Sequence, residues 1–168
     1  MSPVFSPDGG KIAFAANRAG GLSLFEIYVM NADGSDQKLV FGDRAMSINP
    51  AWSPDGKTLV FSNDREEGRI GNFELFAIGV DGGPEQRLTN RPRYDVNPAF
   101  SPDGTRIAFE SYADGNPEIY VMNADGSGLL RLTRDLGKDH YPHWSPDGRK
   151  IIFTSNRTGK YAIYEIAI

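Results

Sequence analysis

Two histidines beside an aspartate, Asp139-His140-x-x-His143, are the first residues of this chain whose types could do chemistry. Imidazole and carboxylate together bind zinc or pass protons. A zinc site wants three or four convergent ligands, and these are the chain's only histidines. On an extended strand, residues three apart point to opposite sides. No metal centre and no cofactor are therefore expected. Nucleophilic catalysis fares no better. The sequence has no Gly-x-Ser-x-Gly elbow, and a Ser-His-acid triad would have to draw on His140 or His143, with no serine singled out to join it. No pair of carboxylates is nominated for glycoside chemistry. The expectation is a binding protein, not an enzyme.

A polar set with a clearer pattern precedes three prolines. Ser47-Ile48-Asn49, Asp95-Val96-Asn97 and Asp139-His140-Tyr141 align, so Asn49, Asn97 and Tyr141 should project alike. Arg93, Tyr94, Asp95, Asp139 and His140 lie close by in sequence. Gathered at one mouth, these eight residues would form a funnel of amides, carboxylates, guanidinium and phenol. Such a funnel suits a protein, a peptide or a small polar ligand.

What must position them is a repeat. Phe5-Ser6-Pro7-Asp8-Gly9 returns as Trp52-Ser53-Pro54-Asp55-Gly56, Phe100-Ser101-Pro102-Asp103-Gly104 and Trp144-Ser145-Pro146-Asp147-Gly148. The serines stand 47, 48 and 44 residues apart, within the range of propeller blades. Each copy leads into a strand-like run such as Lys11-Ile12-Ala13-Phe14, then a second such as Glu26-Ile27-Tyr28-Val29-Met30. A more polar run such as Gln86-Arg87-Leu88-Thr89 closes the first three copies. With the pre-proline segment, each repeat holds strands A to D.

The turns have a mechanism. In Ser-Pro-Asp-Gly the proline presets φ, the aspartate bonds the local backbone, and the glycine accepts positive φ. Asn31-Ala32-Asp33-Gly34 and Asn123-Ala124-Asp125-Gly126 use the same chemistry between strands C and D. Strand B is apolar on both faces, Ile12 and Phe14 on one side and Ala13 and Ala15 on the other. A sheet buried on both faces must be sandwiched between its own kind, and small sheets stacked around an axis make a propeller. The fold expected is all-β: a β-propeller of four antiparallel meander blades, the last lacking its outer strand. The blades span approximately 1–46, 47–94, 95–138 and 139–168, in one domain. Strands A, B and C should be buried and D polar. Strand direction alternates, so the A–B and C–D turns share one rim. The variable B–C loops, such as 17–22 and 64–72, share the other rim with the D–A loops, where recognition is expected.

Pro-x-(Trp/Phe)-Ser-Pro-Asp-Gly-x-x-Ile-Ala-Phe, then Ile-Tyr-Val-Met-Asn-Ala-Asp-Gly-Ser and Arg-Leu-Thr, resembles the WD-like propeller repeat of the TolB family over nearly the whole chain. That resemblance implies a noncatalytic scaffold serving an envelope assembly, and a periplasmic home. It also implies a rival function found among related repeats, the propeller of a larger hydrolase such as a peptidase. A carbohydrate-active propeller enzyme is a further alternative, using carboxylates at the channel mouth.

Composition bounds the partners. The net charge is -4 and the chain has no cysteine. An acidic chain argues against generic nucleic-acid binding, and the absence of cysteine excludes disulfides and thiolate metal sites. No stretch approaches the roughly 18 apolar residues of a membrane span, so membrane insertion is not expected. Met1-Ser2-Pro3-Val4-Phe5 lacks the basic start and apolar run of a secretory signal, which leaves cytoplasm open beside periplasm. Four blades of a larger ring form an open arc whose ends would expose Ile12, Phe14, Ile151 and Phe153. A homodimer closing an eight-bladed ring is expected, with a compact four-bladed monomer as the alternative.

Overall fold

The computed structural model describes residues 2–18, 24–65 and 72–168. Residues 19–22 and 66–71 of the expected recognition loops lie outside them. The described residues form fifteen strands in four sheets. Blade 1 holds β1 (Val4–Phe5), β2 (Lys11–Ala16), β3 (Glu26–Asn31) and β4 (Lys38–Phe41). Blade 2 holds β5 (Ser47–Trp52), β6 (Thr58–Asn63), β7 (Glu74–Gly79) and β8 (Gln86–Arg87). Blade 3 holds β9 (Asp95–Phe100), β10 (Arg106–Ser111), β11 (Glu118–Asn123) and β12 (Leu130–Arg131). Blade 4 holds β13 (Asp139–Trp144), β14 (Lys150–Ser155) and β15 (Ala162–Ala167). Strands pair antiparallel in chain order, so each blade is a meander.

The blades stack by one rule. One face of each strand B carries small or slender residues, and the next blade answers with a branched residue and a phenylalanine. Ala13 and Ala15 pack on Leu59 and Phe61. Val60 packs on Ile107 and Phe109, and Ala108 on Ile151 and Phe153. Each of these ten side chains apart from Phe153 is fully buried, and Phe153 nearly so. Sheet faces interdigitate best when large meets small. The Ser-Pro-Asp-Gly turns add a belt on one rim, where the turn glycines of blades 2, 3 and 4 lie against the proline of the previous blade. A Cβ on Gly104 would stand 3.4 Å from Pro54 Cδ, and one on Gly148 would stand 3.6 Å from Pro102 Cδ.

The Arg-Leu-Thr segments have a structural task. Thr133 Oγ1 accepts the backbone N–H of Ile119 at 2.9 Å and donates to the carboxylate of Glu118, which is fully buried. Arg131 closes on the same carboxylate at 2.8 Å. Thr89, Glu74 and Arg87 repeat the arrangement in blade 2. A side-chain hydroxyl thus replaces a ladder hydrogen bond where strand D ends, and a buried acid is neutralised at the same point.

Blade 4 departs from expectation. Strand C was expected to be buried, yet β15 is largely exposed, with Ile163 78% accessible. No strand D pairs with it among the described residues, and no blade covers its outer face. The expected end residues also need correction. Ile151 and Phe153 face blade 3 and are buried, while the open face carries Ile152 and Ile163. At the other end Ile12 and Phe14 are half-buried.

Thr133→Val should cost about 1–3 kcal/mol in urea unfolding, because it strands both a buried N–H and a buried carboxylate. The same change at exposed Thr105, where the hydroxyl only supplements a turn bond, should cost far less.

Candidate functional site

The inner strands meet at the axis through a shared distortion. In β5, β9 and β13 the register slips by one residue, at Ile48/Ala51, Val96/Ala99 and His140/His143. Two residues of the inner strand, such as Asn97 and Pro98, thereby face one of its neighbour. The first of each pair takes left-handed backbone: Asn49 at φ 53°, Asn97 at 54° and Tyr141 at 55°, with Ser2 at 47°. Non-glycine residues rarely adopt this conformation. Its presence in all four blades makes it part of the inner strand's geometry rather than a device of one site. Ser2, Asn49, Asn97 and Tyr141, each followed by its proline, line one small axial cavity of about 170 Å³. The pre-proline alignment thus brings Asn49, Asn97 and Tyr141 together.

The bulge also changes the histidines. His140 lies opposite Thr154 and His143 opposite Ile152, two residues apart on one strand, so the three-apart rule does not carry across it. Their roles still diverge. His143 lines the axial cavity, while His140 turns to an acid that sequence reading passed over.

That acid is Glu110 of β10, only 2% exposed. Its carboxylate is bonded by His140 Nδ1 at 2.8 Å, Asn97 Nδ2 at 2.9 Å and the backbone N–H of Tyr141 at 3.3 Å. Burial first, and then Glu110, push the Tyr112 phenol well above its usual range, so it stays a neutral donor. Around this acid stands an aromatic wall. Tyr94 meets Tyr112 edge-on at 5.4 Å and Phe73 at 5.9 Å. His140 lies 5.8 Å from Tyr141 and 6.0 Å from Tyr161. Tyr94, Tyr141 and Tyr161 are exposed. The positions equivalent to Glu110 are Ala15, Ser62 and Thr154. A glutamate in a series of small residues was the signal available in the sequence.

The structure corrects two carboxylates. Asp95 and Asp139 were expected at the funnel, yet both are 0% exposed. They begin strand A opposite Ser111 and Ser155, beneath the surface. Each donates its backbone N–H to the preceding blade, Asp95 to Phe73 O at 2.8 Å and Asp139 to Pro117 O at 2.9 Å. Asp139 is held by Arg157 at 2.9 Å. Neither carboxylate oxygen of Asp95 finds a hydrogen-bond partner among the described residues. Burial pushes its carboxyl up to about 6, with Glu74 pushing the same way and the nearby Ser111, Thr89 and Arg91 pulling against them. Arg93 is exposed on the rim and bonds Gly115 O at 3.3 Å.

The arrangement can hold a ligand by stacking and by polar contacts at the axis. Glu110 receives three hydrogen bonds, which fix Asn97, His140 and Tyr141 relative to one another. Among the described residues no group of three or more histidine, cysteine or acidic side chains could hold a metal.

Known proteins are informative against this geometry. The model of the TolB beta propeller domain matches residues 1–97 and 85–168. The Tol-Pal system protein TolB of Histophilus somni (strain 129Pt) is 36% identical over 51 residues, which is 30% of this chain and 12% of that protein. The uncharacterized peptidase YuxL of Bacillus subtilis (strain 168) is 30% identical over 66 residues, 39% of this chain and 10% of that one. The structure of a putative TolB from Agrobacterium tumefaciens superposes with a TM-score of 0.87 at 28% identity, over 99% of this chain and 61% of the other. The chain therefore spans less than two thirds of each.

A pH dependence of stability follows from Asp95. Its folded value of about 6 lies above the ordinary aspartate value of about 3.9. The folded state thus holds the proton where the unfolded state has lost it. Its contribution is complete below about pH 4 and is lost as pH rises to about 6, a fall of order 3 kcal/mol. Asp95→Asn should remove that fall, leaving a variant more stable than the parent at neutral pH in urea titrations. An unchanged pH profile would contradict this.

Proposed function

The chain belongs to the TolB beta propeller family, and from that premise we propose that it is a noncatalytic propeller segment that binds a protein or peptide at the channel mouth. The observation that carries this reading is the buried acid Glu110, which ties Asn97, His140 and Tyr141 together across two blades beneath exposed tyrosines. Rigid tyrosines with a fixed polar floor are the composition of protein-binding surfaces. Tyrosine loses little conformational entropy on binding, and pre-organisation of the floor saves more. Arg93 and Tyr94 extend the surface onto the rim. The compartment proposed with this role is the periplasm, as the family resemblance implies.

The rival reading, a propeller serving a peptidase, draws support from the partial likeness to YuxL. In that case the same mouth would admit peptide substrates to a catalytic region elsewhere, and this segment would still contribute binding alone.

A second copy of this chain is the other proposed partner. The open face of blade 4 carries Ile152 and Ile163, and the open face of blade 1 carries Ile12 and Phe14. The latter pair is of the branched-plus-phenylalanine kind that receives a neighbour at every internal junction. Two copies placed head to tail would satisfy both faces and close eight blades.

Binding is testable with peptides selected from a random displayed library against the purified chain. Glu110→Gln and Tyr141→Ala should each weaken the selected peptides about tenfold or more. Asp8→Asn, on the opposite rim, should leave affinity unchanged. Selected peptides indifferent to both mouth variants would overturn the reading. For assembly, light scattering should give twice the 18.5 kDa of one chain, reverting to one chain in Ile163→Asp. A monodisperse single-chain mass in the parent would exclude the dimer.

A further inference from the structure

The three junctions between blades are built alike on the turn rim, except for one. At each junction the first residue of strand B in one blade faces the aromatic residue that ends strand A in the next. At junction 1–2 these are Lys11 and Trp52, which line a cavity of about 250 Å³. At junction 3–4 they are Arg106 and Trp144. The Arg106 guanidinium carbon sits 4.7 Å from the indole centroid, and Nη2 donates to Gly148 O at 3.4 Å. At junction 2–3 both parts are missing: Thr58 stands where the cation should be, and Phe100 replaces the tryptophan.

The vacancy is real space. Junction 2–3 holds a cavity of about 650 Å³ with an apolar floor of Ala77 and Phe100. Indole also anchors the other junctions, since Trp52 Nε1 donates to Val4 O at 3.1 Å and Trp144 Nε1 to Ala99 O at 3.0 Å. Phe100 cannot make that bond, and its smaller ring leaves the cleft open.

The charge of the cleft matches its missing occupant. Asp55, Asp103 and Asp125 line it, and no lysine or arginine does. Serine hydroxyls hold all three carboxyls below their usual range: Ser53 for Asp55, Ser101 for Asp103 and Ser127 for Asp125. They are fixed anions at neutral pH, each oriented through Oδ1 by its own turn.

We propose that the cleft between blades 2 and 3 is a docking pocket for an arginine side chain of a partner polypeptide. The guest would occupy the place that Arg106 fills at junction 3–4. A guanidinium stacks on an aromatic face and forks onto carboxylates, which an ammonium does less well. The pocket opens on the rim opposite the channel mouth, so it is a second recognition surface, independent of the one proposed above.

The test uses acetyl-Gly-Arg-Gly-amide and its citrulline counterpart, a neutral isostere, followed by amide chemical shifts of the intact chain. The arginine peptide should shift residues 103–105 and 124–126 saturably, and citrulline should bind about fivefold more weakly or worse. Thr58→Arg supplies the cation in cis and should abolish binding without lowering the melting temperature. Asp125→Asn, an exposed turn substitution, should weaken binding about fivefold whatever Thr58→Arg does to folding. Equal binding of both peptides, full binding by either variant, or no saturable shift at these residues would overturn the proposal.

Discussion

Every part of this molecule depends on a sheet that is apolar on both faces. Such a sheet has no stable life alone in water, and the chain resolves the problem by repetition. A small face meets a branched-and-aromatic face at each junction, from Ala13 and Ala15 on Leu59 and Phe61 to Ala108 on Ile151 and Phe153. The rule is directional: each blade has one face of each kind. Stacking of this sort is close to one-dimensional, so each junction stands largely on its own. A residue can depart from the repeat at one junction without disturbing the others.

The polar groups inside the stack fall into two kinds. Glu74 and Glu118 recur with their threonine and arginine partners, and they replace ladder hydrogen bonds where strand D ends. They belong to the architecture. Glu110 does not recur, and it ties blade 3 to blade 4 through His140 and Tyr141. Asp95 is a third case, buried with neither oxygen bonded and with its carboxyl raised by that burial. A buried carboxyl with neither oxygen bonded is a local cost to the stack, and it falls at the start of blade 3. Asp139, in the same register, has Arg157 to offset its burial.

The fold was legible because its determinants are local. Ser-Pro-Asp-Gly fixes a turn by itself, and four copies fix the period, the blades and the alternation of rims. The site was legible only in part, because it depends on two things that a strand pattern hides. One is the bulge. Alternation assumed unbroken through Asn97-Pro98 puts Asp95 in the funnel, whereas the slipped register leaves Asn97 at the axis and Asp95 buried against Ser111. The other is contact between blades. Reading strand B from Ala13 and Ala15 as apolar on both sides hides Glu110, which occupies the Ala15 position and finds its partners in the next blade.

An internal repeat offers its own control. When three copies show what a position does, the fourth can be read as a substitution made within one protein. Arg106 stacks on the next blade's Trp144, and Lys11 shares a cavity with Trp52, so the turn-rim end of strand B carries a cation at both junctions and Thr58 reads as a cation removed. Ala15, Ser62 and Thr154 show that the strand B position at the mouth is small, so Glu110 reads as an acid added. One change empties a cleft on the turn rim and the other builds a floor on the loop rim. Both involve blade 3, which like blade 2 has stacked neighbours on either side. A central blade holds its flanking junctions rigid, and a site built there loses less to the ordering of its own groups when a partner arrives.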